Sequence, residues 1–425
     1  MWRHVAVVPL FVGLALEPAY GQASDPENRS EAVGLRGLVR ELLQNNPEIR
    51  AARFRYEAIT KRPTQAGTLP DPKVTFANVG VGHPLSRLNA SDFAYYGLGI
   101  SQEVPFPGKL SLAAEEARKE AQSAEAEYEA TVLDKIAQLK LAFYDWYYLS
   151  KALEITRKNL DLLDRFEKIA RARYSVGKGI LPDVLKAQVE YSGLSQQLEL
   201  LEQRLATAET RIQTLIERPV EKPLGRPADV TLSPLEMSLE SVLSALEESA
   251  PELRSRQFLI ESRAVGVNRA RKEYRPDFNF SFQWQRTGTR FPDYYMAVAE
   301  VKLPVYFWRK QRYGVEEAVA RLRESRANYR TAQQDLVFTA KDQYLTAKTS
   351  ERVLDLYRAG VIPQASLSLE SNVAAYEVGN IDFLTLLNSM TTLLSFEMEY
   401  YEELARHEQA LARLEPLVGR ELTTF

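Results

Sequence analysis

The sequence predicts a mainly α-helical chain that also contributes strands to a membrane β-barrel, and three observations support this fold class. The 425-residue chain is duplicated, its helices are unusually long, and each copy carries two strands of bilayer-crossing length. The mean hydropathy of −0.31 alone would indicate a soluble protein. Few residues need to face lipid in such a barrel, so the average stays polar.

Four landmarks occur twice in the same order, at separations of 204, 206, 199 and 202 residues. This regularity indicates two copies of a unit of roughly 200 residues. The proline-rich stretch at 219–250 is predicted as a linker or equatorial region between a first repeat at 22–218 and a second at 251–415, with a tail at 416–425. The landmark pairs are Pro47 and Pro251, Pro70 and Pro276, Pro105 and Pro304, and Tyr174 and Tyr376.

Residues 1–21 have the pattern of a secretory signal peptide. A short basic start precedes an apolar stretch that is too short to span a bilayer, and Ala19 and Gly21 offer the small residues that cleavage before Gln22 requires. Cleavage after Ala23 and a buried N-terminal strand are the alternatives. The pattern predicts that the mature chain is exported.

Long stretches without glycine or proline predict the helices, at residues 109–176, 315–359 and 380–415. Apolar residues within the first hairpin alternate at spacings of four and three, the pattern of a coiled-coil seam. The sequence therefore predicts antiparallel helical hairpins at 109–218 and 312–415, and the longest helix would reach on the order of 100 Å. The seam residues are Val132, Ile136, Leu139, Phe143 and Trp146, facing Leu194, Leu198, Leu201, Leu205, Ala208, Ile212 and Leu215.

Strict alternation of apolar and polar residues predicts four strands, at about residues 72–81, 94–104, 276–286 and 294–304. Each is about ten residues long, the length of a tilted transmembrane strand. Hairpins packed on a soluble core are the alternative, but the neighbouring helices are solvated and offer no covering layer. Four strands cannot close a barrel and open edges are not tolerated in hydrocarbon, so we expect an oligomer, with about eight strands from two chains or about twelve from three.

Composition narrows the chemistry of the chain. With no cysteine there is no disulfide, no thiolate ligand and no lipid anchor on an N-terminal cysteine. The 54 basic and 57 acidic side chains give little support for nucleic-acid binding. His83 and His407 lack partner ligands and are expected at the surface rather than on a metal, so we expect no catalytic, metal or cofactor site.

A turn motif, Tyr-x-x-Gly, stands at residues 174–177 and again at 376–379, and the first occurrence is followed by Asp-Val-Leu at 183–185. Together with the duplication, the strand hairpins and the long helices, it resembles the TolC-type outer membrane efflux proteins. Residues 101–109 are similar to the heavy-metal and cation efflux branch that includes the CzcC and CusC proteins.

This resemblance implies a homotrimer in the outer membrane, whose strands form one twelve-stranded barrel and whose coiled-coil helices continue as an α-barrel tunnel through the periplasm. It also implies end-on docking to a periplasmic adaptor protein and an inner-membrane pump, with export of metal cations or drugs and no enzymatic chemistry. The alternatives are the outer membrane component of type I protein secretion and a periplasmic coiled-coil adaptor. An adaptor would carry one hairpin per chain and no duplication.

The turns are the candidate functional site. Gly177 and Gly379 can adopt positive φ and end the long helices with a left-handed cap. In the family, acidic residues at the tip of the second copy narrow the pore, but here that position holds Thr385. We therefore expect Asp183 or Asp382 to form the charged ring of a periplasmic gate, the alternative being that both cap the returning helices.

Overall fold

A computed structural model describes residues 32–80, 88–89 and 91–423, so the predicted signal peptide and His83 lie outside the described residues. The described part is mainly helical. Its helices are α1 (Leu35–Asn45), α2 (Pro47–Ile59), α3 (Arg62–Gly67), α4 (Lys109–Ser175), α5 (Leu181–Leu215), α6 (Leu239–Ser249), α7 (Pro251–Lys272), α8 (Lys310–Leu356), α9 (Ile362–Val378) and α10 (Phe383–Val418). Its strands are β1 (Ala32–Val33), β2 (Lys73–Val79), β3 (Tyr95–Val104), β4 (Arg226–Pro227), β5 (Asp277–Arg286) and β6 (Tyr294–Lys302).

The four long strands form one antiparallel sheet in the order β2-β3-β5-β6, so the two hairpins meet between β3 and β5. This confirms four antiparallel strands per chain. The strand β2 has seven residues, fewer than expected. It ends before Gly80, since glycine weakens a strand interior, and residues 81–87 lie outside the described part. The short strands β1 and β4 form a separate parallel pair.

The register of the sheet gathers the apolar residues onto one face. Phe76 lies opposite Leu98, Leu98 opposite Trp284, and Trp284 opposite Tyr295. The opposite face carries glycine and polar residues, including Ser281 and Gln283. The alternation of apolar and polar residues in the sequence thus gives the sheet one apolar face and one polar face. The large apolar side chains exposed on the first face are Val74, Phe76, Leu98, Ile100, Phe280, Phe282, Trp284, Tyr295 and Val301.

The helices α4 and α5 pack along the predicted coiled-coil seam. All the seam residues of both helices are buried or partly buried in two clusters along the hairpin. The first of these helices has 67 residues, which is about 100 Å at the standard helical rise. No helix of the described part is both long enough and apolar enough to cross a membrane.

In the second copy a π-helical turn, Tyr357–Val361, joins α8 to α9, at the end of the helix that the sequence predicts over residues 315–359. Pro363 follows this turn, and it lacks an amide proton and crowds the carbonyl four residues before it. The wider turn accommodates that break. Tyr357 Oη donates a hydrogen bond to Glu399 of α10, which fixes the turn on its neighbour.

The stretch predicted as a linker, residues 219–250, contains a helix that we did not predict. Helix α6 starts after Ser238, whose hydroxyl accepts a hydrogen bond from the amide of Ser241 at 3.1 Å. Its apolar residues Val242 and Leu246 are fully buried. Helices α1 and α6 each have 11 residues and each precede a helix that begins with proline, so α6 is the counterpart of α1.

His407 is fully buried, so the expectation of a surface position is wrong. Its Nδ1 lies 3.0 Å from the carbonyl oxygen of Ala347, and its Nε2 lies 2.7 Å from that of Ser233. Both ring nitrogens therefore face backbone acceptors. The imidazole ties α10 to α8 and to the stretch between the repeats.

Candidate functional site at the helix tips

The two predicted turns have the same backbone geometry. We name residues 173–183 tip 1 and residues 375–385 tip 2. Gly177 and Gly379 have φ of 72° and 85°. In each tip the glycine amide donates to the carbonyl three residues back at 3.0 Å, and the next amide donates to the carbonyl five residues back at 2.9 Å. These are the two hydrogen bonds of a Schellman motif, which ends a helix and satisfies its last carbonyls.

Arg173 of tip 1 connects the two tips. Its Nη1 donates a hydrogen bond to the main-chain carbonyl of Tyr376 in tip 2. Its Nη2 donates to the carbonyl of Lys178 in its own tip at 3.3 Å. The guanidinium also lies 4.8 Å from the centre of the Tyr376 ring, within cation–π distance. One side chain therefore bridges the ends of α4 and α9.

Tyr376 is the buried centre of this contact, with 2% of its surface exposed. Its ring packs at 5.6 Å on Phe383, the first residue of α10. Its hydroxyl is buried and has no hydrogen-bond partner in the described residues. Burial raises the pKa of this hydroxyl, and the nearby Asp183 carboxylate raises it further. The phenol therefore stays protonated in the tip.

Asp382 is the N-cap of α10. Its Oδ1 accepts a hydrogen bond from the amide of Thr385 at 2.7 Å, the pattern that N-cap residues use to satisfy a free helix amide. Hydrogen bonds from Thr385 lower the pKa of the Asp382 carboxyl. Thr385, which occupies the position expected for a gate acid, thus completes the cap of α10.

Asp183 stands in a different environment. It is the third residue of α5, whose N-cap is Ile180, and it is not a capping residue. Burial raises the pKa of its carboxyl, the negative charge of Asp382 raises it further, and the Arg173 guanidinium opposes both effects. The alternative that both acids cap helices therefore holds for Asp382 alone. Asp183 and Asp382 are brought close enough to repel one another.

The sequence analysis did not identify Arg173, and it named Tyr376 only as a residue of the repeated turn motif. Arg173 and Tyr376 lie just before and within the Tyr-x-x-Gly motifs, but their contact joins residues 203 positions apart and uses a main-chain carbonyl. No residue pattern reports such a contact. The available signal for Arg173 was its position in the last turn of a long helix, where basic groups are favoured. In the described residues no group of three histidine, aspartate or glutamate side chains is arranged to hold a metal ion.

The sequence of this chain is similar to those of known outer membrane proteins. The sequence matches the outer membrane efflux protein family over residues 38–217 and 242–420. It is 24% identical to the pyoverdine export outer membrane protein OpmQ of Pseudomonas aeruginosa, over 78% of this chain and 69% of that protein. It is 22% identical to the cobalt-zinc-cadmium resistance protein CzcC of Cupriavidus metallidurans, over 74% of each.

The fold agrees with solved outer membrane proteins. The structure of VceC from Vibrio cholerae matches with a TM-score of 0.77 and 18% identity, over 91% of this chain and 96% of that one. The match extends over both repeats, which favours a channel over the single-hairpin adaptor considered above. The chain belongs to the outer membrane efflux protein family, and it is a non-enzymatic channel of tripartite efflux systems whose helices extend from the outer membrane into the periplasm.

Proposed function

We propose that three copies of this chain close a single twelve-stranded barrel in the outer membrane, and that solutes leave the cell through its lumen. The observation that carries this proposal is the pair of open sheet edges. Strands β2 and β6 each have one partner in the described residues, and hydrocarbon does not tolerate unpaired backbone groups. These edges run in opposite directions, so β6 of one chain can pair with β2 of the next in the antiparallel sense.

The two faces of the sheet support this arrangement. When the sheet curves into a barrel, the face that carries Phe76, Leu98 and Trp284 would lie against lipid, and the face that carries Ser281 and Gln283 would line the lumen. About eight strands leave an interior that side chains fill, whereas about twelve leave space for solutes. Two chains would therefore close a barrel that side chains fill. Three chains are the smallest closed assembly whose lumen could conduct solutes.

The helix tips are proposed as the docking end for a periplasmic adaptor protein, which links the channel to an inner-membrane pump. Val176 and Val378 occupy the same place in the two Tyr-x-x-Gly motifs and are 67% and 72% exposed. Exposed apolar residues at equivalent places suit a partner that contacts both tips in the same way. Leu181 and Leu384 extend this surface into the first turns of α5 and α10.

The same tips are proposed as the gate. A ring of three Asp183 side chains, with Asp382 beside each, would place negative charge around the narrow end of the tunnel. Asp183 is free of a capping role, whereas the Asp382 carboxylate is engaged by Thr385. Asp183 is therefore the better candidate for the charged ring. Arg173 would hold the two tips of each chain together in the closed state.

The cargo is proposed to be a small solute, either a metal cation or an organic compound such as a drug. One relative is named for pyoverdine export and another for resistance to cobalt, zinc and cadmium. Deleting the gene and measuring tolerance to cobalt, zinc, cadmium and a panel of drugs would identify the class. Restoration by the wild-type chain supports export, and unchanged tolerance to every compound would contradict it.

The channel itself is tested with purified protein in planar bilayers. Native mass spectrometry in detergent should give the mass of three mature chains, and the same sample should give discrete conductance steps. A monomer that inserts without conductance would contradict the proposal.

A further inference from the structure

The two repeats of one chain meet along an inter-repeat interface, which β3 forms with β5 and α4 forms with α7. In its strand register Ser101 lies opposite Ser281. The hairpins on either side have equal registers, because Thr75 lies opposite Gly99 and Ser281 lies opposite Val298. Ser281 stands 206 residues after Thr75, and Val298 stands 199 residues after Gly99. The first shift therefore carries β2 onto β5, and the second carries β3 onto β6.

The open edges of the sheet, β2 and β6, are thus the counterparts of the two strands at the inter-repeat interface. Applied to the register between β3 and β5, the same shifts set Glu300 of one chain opposite Thr75 of the next copy, and Val301 opposite Val74. Glu300 and Thr75 belong to the polar face of the sheet, and the two valines belong to the apolar face. Both faces would therefore continue unbroken from one chain to the next.

The inter-repeat interface also contains an ion pair whose counterparts are unpaired. Lys109, the first residue of α4, is buried, and its Nζ lies 2.9 Å from a carboxylate oxygen of Asp277 at the start of β5. Lys310 holds the place of Lys109 as the first residue of α8, and Asp71 follows a proline before β2 as Asp277 does before β5. Both counterparts are exposed, and neither forms an ion pair with a residue that the structure describes.

The helices next to the sheet show the same contrast. A shift of 204 residues, the separation of the prolines that begin α2 and α7, carries Phe54 onto Phe258 and Ala51 onto Ser255. In α7, Ser255 is buried against α4, and the Phe258 ring lies 5.7 Å from Lys119 Nζ of α4. In α2, Ala51 is exposed, and Phe54 is 64% exposed. The face of α2 that corresponds to the covered face of α7 is therefore open in the single chain.

We propose that each chain contacts the next copy through an inter-chain interface that repeats the inter-repeat interface. In this interface β6 pairs with β2 so that Glu300 lies opposite Thr75, Lys310 forms an ion pair with Asp71, and α8 covers Phe54. The inference rests on the proposed barrel of three chains, and it adds the register and the ion pair by which those chains meet.

Charge complementarity favours a second copy of the chain as the partner at these edges. The register sets Lys302 of one chain opposite Lys73 of the next, two residues from Glu300 and from Asp71 respectively. Each lysine therefore has an acid of the other chain on its diagonal, about 7 to 8 Å away, which a long side chain can reach. An uncharged partner would leave Asp71 and Lys310 without opposite charges.

The register is tested by disulfide formation in outer membranes. Thr75→Cys with Glu300→Cys would place two Cβ atoms directly opposite, about 4.5 to 5.5 Å apart. Thr75→Cys with Met296→Cys would separate them by four further residues, about 13 Å along the strand. We expect the first pair to give covalent trimers in at least about tenfold higher yield. Trimers formed through Met296 instead would overturn the register and leave the barrel of three chains standing. Monomers by cross-linking and by native mass would contradict the barrel itself.

The ion pair is tested by charge reversal in the purified full-length channel. Lys310→Glu and Asp71→Lys should each raise the monomer fraction in detergent about tenfold, and the double variant should restore the wild-type fraction. The control is Lys222→Glu, which reverses an exposed lysine in the stretch between the repeats and should change nothing. Single variants that assemble like the wild type, or a double variant no better than either, would overturn the proposed pair.

Discussion

Arg173 donates a hydrogen bond to the main-chain carbonyl of Tyr376, and its guanidinium lies 4.8 Å from the centre of the ring of the same residue. The two residues belong to different copies of the duplicated unit and stand at the tips of different helical hairpins. Any movement that separates tip 1 from tip 2 must break this contact. The strength of the contact therefore sets part of the free energy needed to open the periplasmic end.

Replacing Arg173 should favour the open channel. The hydrogen bond and the cation–π contact together are worth about 1 to 2 kcal/mol in a half-buried site. Arg173→Ala should raise the frequency of open events in planar bilayers several-fold, and Arg173→Lys should have an intermediate effect because it keeps the charge but loses the planar fork. Arg171→Ala is the control, since Arg171 pairs only with Glu167 in its own helix among the contacts described. Identical gating in Arg173→Ala and wild type would refute a latch.

The two tip glycines should differ in their tolerance to alanine. Both have positive φ, so alanine costs about 1 to 2 kcal/mol of strain at either position. A Cβ on Gly379 would also stand 2.9 Å from Arg173 Nη2, whereas one on Gly177 would meet no atom within 4 Å. Gly379→Ala should therefore lower the melting temperature and raise open events more than Gly177→Ala. Equal effects of the two variants on both measurements would contradict this account.

The pH dependence of channel block by divalent cations should show whether Asp183 or Asp382 forms the charged ring. The pKa of Asp183 is raised, so its negative charge, and the repulsion it causes, is present above that pKa and is lost as pH falls through it. The pKa of Asp382 is lowered, so its stabilising cap persists to lower pH and is lost only below its ordinary range. If Asp183 forms the ring, block by Mg²⁺ should weaken on mild acidification while the Asp382 cap is still ionised.

Asp183→Asn should remove this block and its pH dependence, and Asp382→Asn should change it much less. Asp164→Asn, at an exposed helical position paired with Lys168, is the matched control. Wild-type block in both Asp183→Asn and Asp382→Asn, measured in planar bilayers, would rule out a charged ring at this site.

A buried ion pair between Lys140 and Glu415, near the end of α10, should make the free energy of unfolding sensitive to replacement of Lys140. Lys140 Nζ lies 2.5 Å from Glu415 Oε2, and Glu415 Oε1 also accepts from the amides of Leu422 and Thr423. Lys140→Met would leave a buried carboxylate without its cation and should cost about 3 to 5 kcal/mol of unfolding free energy. Adding Glu415→Gln should recover part of the loss, as measured by denaturant unfolding. A double variant no more stable than Lys140→Met would contradict the pairing argument.

The repeated and periodic parts of the fold could be predicted from the sequence. The seam of α4 and α5 and the alternation of β5 follow from residue spacing, because helices and strands turn a fixed period into a fixed face. The tip backbones were also predictable, since Gly177 and Gly379 stand where a left-handed residue is needed. Duplication strengthened each of these inferences, because the same signal occurred twice.

Other features depend on contacts that no local pattern encodes. The buried position of His407 depends on contacts of its ring nitrogens with the main-chain carbonyls of Ala347 and Ser233, which lie far away in the chain. The π-helical turn could have been suspected from Pro363, but the hydrogen bond from Tyr357 to Glu399 of α10 could not. The prolines near α6 led to the prediction of a linker. Ser238 as an N-cap and the four-residue spacing of Val242 and Leu246 nevertheless indicate a helix.

The closure of the barrel by three chains is the central claim, and cysteine cross-linking tests it most directly. The natural chain has no cysteine, so a pair placed on the two sheet edges is read without background. Thr75→Cys on β2 would be combined in turn with Met296→Cys, Val298→Cys or Glu300→Cys on β6, all on the polar face of the sheet.

Oxidation of these double variants in outer membranes should give covalent dimers and trimers for at least one pair, with no larger species and none in the single variants. A ladder that stops at the dimer, one that continues beyond the trimer, or a chain that remains monomeric with all three pairs would contradict the twelve-stranded barrel.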